Sequence, residues 1–198
     1  MRTCEIRWFL KPPLSGIEGW LEDLEADRIT SENRTDFYLF LPGRKDIGIK
    51  IREGRLEIKH RTAAPWPIQI APAWEGYLEA WVKYGFELGE NKTERPLWAG
   101  EDPTLHKVVK YRRAMLIHQT DGELTFGPLQ YGNTTAIQLE YTKLRVLEET
   151  WYTLGLEWPE DIELQLPESF FREILGDDRL TRAESMGYAE FLQLLKGS

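Results

Sequence analysis

The chain has 198 residues, 41% of them hydrophobic, with eight each of Trp, Tyr and Phe, which excludes general disorder and allows a sizeable core. Its net charge of -8 excludes non-specific attraction to nucleic acid. The single cysteine, Cys4, excludes an intramolecular disulfide and a thiolate metal site, and no apolar run reaches the ~20 residues that cross a bilayer. One domain over residues 1–198, without signal peptide or membrane contact, in a reducing cytoplasmic setting, is the expectation. Cys4 then reads as a small buried side chain of the first strand.

Thr3–Lys11 alternates, with Cys4, Ile6, Trp8 and Leu10 on one face and Glu5, Arg7, Phe9 and Lys11 on the other. That is a strand, ended by Pro12-Pro13. Ser15 and Glu18 have capping-box spacing before a short helix with Ile17, Trp20, Leu21 and Leu24 inward. Thr35–Leu41 reads as a second strand, stopped by Pro42-Gly43.

Ile47–Arg61 is the most informative stretch. It reads as two alternating strands folded about a turn at Glu53-Gly54. That register sets Ile51 opposite Leu56 and Ile49 opposite Ile58 on the apolar side. Lys50 then faces Glu57, and Arg52 faces Arg55, on the charged side. Arg52 and Arg55 repel in that position unless the face is bathed in water or lines a cavity that holds an anion.

Ala63–Pro72 is broken by prolines and reads as a connection. Trp74, Tyr77, Trp81 and Tyr84 recur at helical spacing, so Ala73–Tyr84 is predicted as a helix capped by Gly85. His106–Ile117 reads as a strand that puts Lys110 and Arg112 on one face. A turn at Thr120–Glu123 leads to a short partner strand over Leu124–Phe126. Thr134–Thr142 is a strand with Gln138, Glu140 and Thr142 together on one face. Lys143–Leu154 switches to helical spacing, ending at Gly155. A short strand over Ile162–Leu166 precedes helices at Glu168–Leu175 and from about Ala183 to Leu195, the latter with a Thr181–Glu184 capping box.

These elements add up to an α+β fold: an antiparallel sheet with helices packed outside. Four strand segments repeat one polar or charged face. Such a set could close into a barrel with a charged interior and an apolar exterior covered by helices, the reverse of a small barrel filled by hydrocarbon.

At these residues the chain resembles the CYTH superfamily, the triphosphate tunnel metalloenzymes. The family opens with Glu-x-Glu-x-Lys; this chain reads Glu5-Ile-Arg7-Trp-Phe9, matching the first acid only. Lys50-Ile-Arg52, Lys59 and Lys110-Tyr-Arg112 are similar to the family's spaced basic pairs. Gln138-Leu-Glu140 stands where a Glu-x-Glu is expected, and the C-terminal MGYAEFLQLL is similar to the family's closing Ser-Tyr-x-x-Leu-Leu region. The resemblance implies an antiparallel β-tunnel in which Lys50, Arg52, Lys59, Lys110 and Arg112 contact phosphates. It also implies that Glu5 and Glu140 position Mg²⁺ or Mn²⁺.

Arg7 and Gln138 replace two of the expected acids, so the basic positions survive better than the acidic ones. That favours holding a phosphorylated small molecule over cleaving it, and leaves enzymatic triphosphate hydrolysis undecided. The alternative is a non-enzymatic β-barrel module whose charged face meets a protein partner. An oily ligand is disfavoured, because it would leave the charged stripes desolvated. His60, His106 and His118 are too scattered for a zinc motif, and His60 reads as a core histidine.

Overall fold

In the computed structural model, which describes residues 1–88, 104–120, 122–130 and 135–197, β1 (Arg2–Leu10) is buried on both faces. Ile6, Trp8 and Leu10 point to one side, and Glu5, Arg7 and Phe9 to the other. A strand with an apolar and a charged face, both enclosed, needs a sheet that curls on itself. The chain does this with β2 (Thr30–Leu39), β3 (Ile47–Arg52), β4 (Arg55–Arg61), β6 (Trp74–Glu87), β7 (Leu105–Thr120), β9 (Ile137–Val146) and β10 (Glu149–Pro159). The antiparallel ring runs β1-β10-β9-β7-β2-β3-β4-β6, and β1 pairs with β6 to close an eight-stranded barrel. β5 (Trp66–Ala71) and β8 (Glu123–Gly127) add to β6 and β7 outside the ring.

Two cores follow from this closure. The larger lies on the outer wall, where Trp8, Trp74, Met115, Leu139 and Leu156 meet α1 (Ser15–Asp23) and α2 (Glu168–Leu175). The smaller lies inside one end of the barrel. There Phe9, Val108, Leu144 and Val146 hold Phe191 and Leu192 of α3 (Tyr188–Lys196), which plugs that end. Phe9 stacks on Phe191 at 3.9 Å between ring centroids. No helix of the described residues is long and apolar enough to cross a membrane.

The hairpin of β3 and β4 has the predicted register: Ile51 opposite Leu56, Ile49 opposite Ile58, Lys50 opposite Glu57, Arg52 opposite Arg55. Glu53 and Gly54 take φ of 49° and 76°, the pair of positive values a two-residue hairpin turn needs. α2 spans the predicted residues, and the Thr181–Glu184 capping box forms on a short 3-10 turn before α3.

Several expectations are corrected. Ala73–Tyr84 is not a helix but most of β6. Trp74 and Leu78 face the outer core while Glu79, Trp81 and Lys83 face inward, so aromatic residues on opposite faces imitate helical spacing. Lys143–Leu154 is likewise no helix. It comprises the end of β9, a turn and the start of β10. That turn places Leu147 and Glu148 at φ of 48° and 63° with neither Gly nor Asn to announce it.

Ala63–Pro72 contains the strand β5, whose Pro67 is tolerated because the strand lies at an edge. Ile162–Leu166 forms no strand, and β2 begins at Thr30, five residues earlier than expected. Ser15 does not cap α1; Leu14 occupies that position without a side-chain bond. His60 is exposed, and His106 is buried instead. Cys4 is half-buried and free. Asp121 of the predicted turn and Thr134 at the predicted strand start lie outside the described residues.

Candidate functional site

The barrel encloses a cavity of about 380 Å³. Its described lining carries nine Lys or Arg side chains (Arg7, Arg34, Lys50, Arg52, Arg55, Lys59, Lys83, Lys110, Arg112) against four carboxylates (Glu5, Glu57, Glu140, Glu157). This excess of positive charge sits inside a protein of net charge -8. All five predicted phosphate contacts and both predicted metal ligands line the same space. Met1, Arg55 and Tyr84, all well exposed, rim its open side, and α3 closes the other.

Near the plugged end lies a charged cluster centred on Arg7. The Arg7 Nε–H donates to Glu5 Oε1 at 2.7 Å, and Nη1 donates to Glu140 Oε1 at 2.8 Å and Thr153 Oγ1 at 2.7 Å. The other oxygens of both carboxylates are also taken: Lys59 Nζ donates to Glu5 Oε2 at 2.6 Å, and Arg112 Nε to Glu140 Oε2 at 2.5 Å. Burial raises the proton affinity of Glu5 and Glu140. The adjoining cations more than reverse this, Lys59 and Arg7 for Glu5 and Arg112 and Arg7 for Glu140, so both carboxyls are held well below their usual range.

Beside this cluster, Asp36 is fully buried and is shared by three cations. Lys110 Nζ lies 2.9 Å from its carboxylate, Lys50 Nζ 3.3 Å and Arg34 Nε 3.4 Å. The three keep Asp36 ionised against burial. Burial, offset in part by Asp36, brings Lys110 down to about 8 and lowers Lys50 as well. Lys110 Nζ also lies 4.0 Å from the centre of the Tyr188 ring, a cation–π contact from α3.

Toward the open side, Arg52 turns to Glu57 at 2.7 Å and Arg55 to Glu87 at 3.6 Å, which relieves their facing charges. Glu57 is brought down to about 2, burial being outweighed by Lys50 and Arg52. Lys59 and Lys83 also face each other across β4 and β6, and both reach Glu157. Lys83 is lowered by burial and by the charge of Lys59. Further along the same two strands Arg61 pairs with Glu79, whose carboxyl is raised to about 7 by burial and the nearby charge of Glu5.

Sequence reading missed Arg34, Asp36, Lys83, Glu157 and Tyr188. The period-two run Glu32, Arg34, Asp36, Tyr38 carried a signal, but it began before the segment recognised as a strand. Lys83 and Glu157 lie on or beyond segments whose apolar spacing imitates a helix.

The residues do not fit a divalent cation. A magnesium or manganese ion needs free hard oxygens. Every oxygen of Glu5 and Glu140 already accepts a charged hydrogen bond, and the Arg7 guanidinium stands between them. Among the described residues no three His, Cys, Asp or Glu side chains gather as a ligand set.

No family model and no curated protein matches the sequence. Solved structures do match. A Hippeastrum adenylyl cyclase candidate, HpAC1, described as having a dominant triphosphatase activity, aligns over 99% of this chain and 96% of its own at 12% identity and a TM-score of 0.50. The mimivirus capping enzyme triphosphatase aligns over 89% of both chains at 11% identity and a TM-score of 0.49. The Pyrococcus horikoshii protein PH1012 covers 94% of this chain and 98% of its own at 15% identity and a TM-score of 0.40. The ring of eight antiparallel strands, the charged faces turned inward and the alignment over nearly all of both chains show that this chain shares the antiparallel β-tunnel fold of the Hippeastrum protein.

Proposed function

We propose that the tunnel binds the polyphosphate part of a small molecule, with Lys50, Arg52, Lys59, Lys110 and Arg112 contacting phosphate oxygens and Lys83 adding charge at the open side. The observation that carries this is nine Lys or Arg side chains around one enclosed space, an excess of positive charge that remains when Asp36, Glu32 and Glu87, which pair with them from behind, are counted with the four lining carboxylates. Cations gathered under mutual repulsion, in an acidic protein, are stabilised by an anion. The cavity volume falls within the range of small-molecule sites, ~300–1,000 Å³. A shared fold does not by itself assign an activity. The triphosphatase activity of the Hippeastrum protein nevertheless agrees with the chemistry of this lumen.

Binding is favoured over hydrolysis. A water attacking in line needs a group to orient it. Glu5 and Glu140 are saturated by cations and held ionised, so neither has an open oxygen for that task. The charged strand faces close on an interior too small for another protein, which removes the ground for a protein-docking role of those faces.

Tripolyphosphate at ~100 times its dissociation constant should stabilise the protein by about 2.7 kcal/mol, roughly a 5–10 °C rise in melting temperature for a chain of this size. Arg52→Ala should weaken tripolyphosphate binding tenfold or more, ~1.4 kcal/mol. Its cost to folding should be small, because its partner Glu57 keeps Lys50 at 3.0 Å. Isothermal titration alongside thermal melting separates the two effects. No shift with tripolyphosphate in the wild type would overturn the reading.

Affinity should also fall with alkaline pH. Anion binding favours the ammonium form, so the contribution of Lys110 is intact below its value of about 8 and is lost as pH rises through it. The limiting slope is a factor of about 10 per pH unit for each lysine that loses its proton. A profile flat from neutral to pH 9, at constant ionic strength, would remove Lys110 from the contact set.

A further inference from the structure

The seat of Arg7 is built to hold a cation permanently. Arg7 pairs in register with Gly155 of β10. A Cβ at position 155 would stand 2.7 Å from the guanidinium carbon of Arg7, so the glycine leaves the space that the guanidinium fills. Two carboxylates and one hydroxyl receive its N–H groups, and its carbon lies 5.2 Å from the Tyr188 ring centre. The backbone is tied as well: the Met186 N–H, just before α3, donates to the Arg7 carbonyl at 3.0 Å. Around Glu5 and Glu140 stand three cations, Arg7, Lys59 and Arg112, which occupy all four of their carboxylate oxygens; Arg112 also holds Glu32 at 2.7 Å, and Lys59 lies 3.6 Å from Glu157. A divalent ion entering there would meet the Arg7 guanidinium and no vacant oxygen of Glu5 or Glu140.

We propose that the Arg7 guanidinium is the resident cation of the tunnel, fixed between Glu5 and Glu140, and that polyphosphate binds without a divalent metal. This rests on the tunnel being a polyphosphate site. Magnesium or manganese ions in solution would compete with the lumen for phosphate oxygens. Added metal is therefore expected to leave the affinity unchanged or to weaken it.

The test is calorimetric titration of the wild-type protein with tripolyphosphate in EDTA, then with Mg²⁺ or Mn²⁺ in place of EDTA. A parallel titration with Mn²⁺ alone is followed by electron paramagnetic resonance. The expected result is saturable anion binding in EDTA, no tightening with metal, and no stoichiometric uptake of Mn²⁺ by the protein. Binding that requires metal, or that tightens tenfold or more with it, overturns this proposal and leaves the tunnel reading standing. Stoichiometric Mn²⁺ uptake that Glu140→Gln abolishes overturns it too. Absence of anion binding under every condition overturns the tunnel reading and this proposal together. Arg7→Gln should weaken tripolyphosphate binding in EDTA tenfold or more, with partial recovery in Arg7→Lys; unchanged affinity in Arg7→Gln overturns the role of Arg7. Should Arg7→Gln fail to fold, the wild-type comparison still decides between the outcomes.

Discussion

Asp36→Ala is expected to cost about 3–5 kcal/mol of folding stability, the penalty for removing one member of a buried ionic group. For a chain of this length that is a fall of roughly 6–20 °C in melting temperature. Asp36 has no solvent exposure and neutralises Lys110, Lys50 and Arg34 from one point. Without it the buried Lys110 has no ion-pair partner, while Lys50 and Arg34 are left with Glu57 and Glu32. Asp36→Asn keeps the volume and removes the charge, so it should recover little. A cost below about 0.5 kcal/mol, the scale of an ordinary surface change, would show that the group is not the electrostatic anchor of the lumen.

The same carboxylate sets a pH limit. Its folded value is depressed below the ordinary 3.8, so its stabilisation is present above that value and is lost as pH falls below it. Urea melts at neutral and acid pH should show the wild type and Asp36→Asn converging in stability as pH falls.

Phe9→Ala is the second large effect, about 3–5 kcal/mol for truncating a fully packed aromatic side chain. Phe9 is 3% exposed, stacks on Phe191 at 3.9 Å and meets Tyr188 edge-on at 5.0 Å. Its loss unseats α3 from the barrel end. Amide exchange in Tyr188–Lys196 should therefore accelerate more than exchange in β9 or β10, whose ladders do not depend on the plug. Equal acceleration throughout would show global loosening rather than release of α3. The two variants differ in kind. Asp36→Ala leaves a buried ammonium, that of Lys110, without its carboxylate, whereas Phe9→Ala leaves a cavity.

The position of Phe9 also shows how far the resemblance could be carried. The opening pattern Glu-x-Glu-x-Lys becomes Glu5, Arg7, Phe9 along one inward face of β1. Read singly, Arg7 and Phe9 are losses. The structure gives each a place. Arg7 fills the gap between Glu5 and Glu140, and Phe9 turns the next layer apolar so that it can receive α3.

The hairpin from Ile47 to Arg61 was legible residue by residue. A strict period of two and a Gly at the turn leave one register that keeps the isoleucines together. Ala73–Tyr84 and Lys143–Leu154 were not legible. Strands of this barrel are covered by helices on one side and line a lumen on the other, so large side chains occur on both faces and the alternation is lost. Trp74 and Trp81, seven residues apart, are both buried but on opposite faces of β6. The Leu147-Glu148 turn hid the second case, because neither residue is one that positive φ normally selects.

Sequence alone determined which side chains share a strand face, since neighbouring φ and ψ angles force the alternation and need no distant partner. It therefore separated charged from apolar residues in β1, β3, β4, β7 and β9 and predicted a charged interior. Only the tertiary structure decided what those charges meet. Glu5 and Glu140 are brought to one guanidinium by pairing of β1 with β10 and of β10 with β9, and β1 against β6 closes the ring. Electrostatic partners depend on distance through space, and local backbone preference carries no information about it.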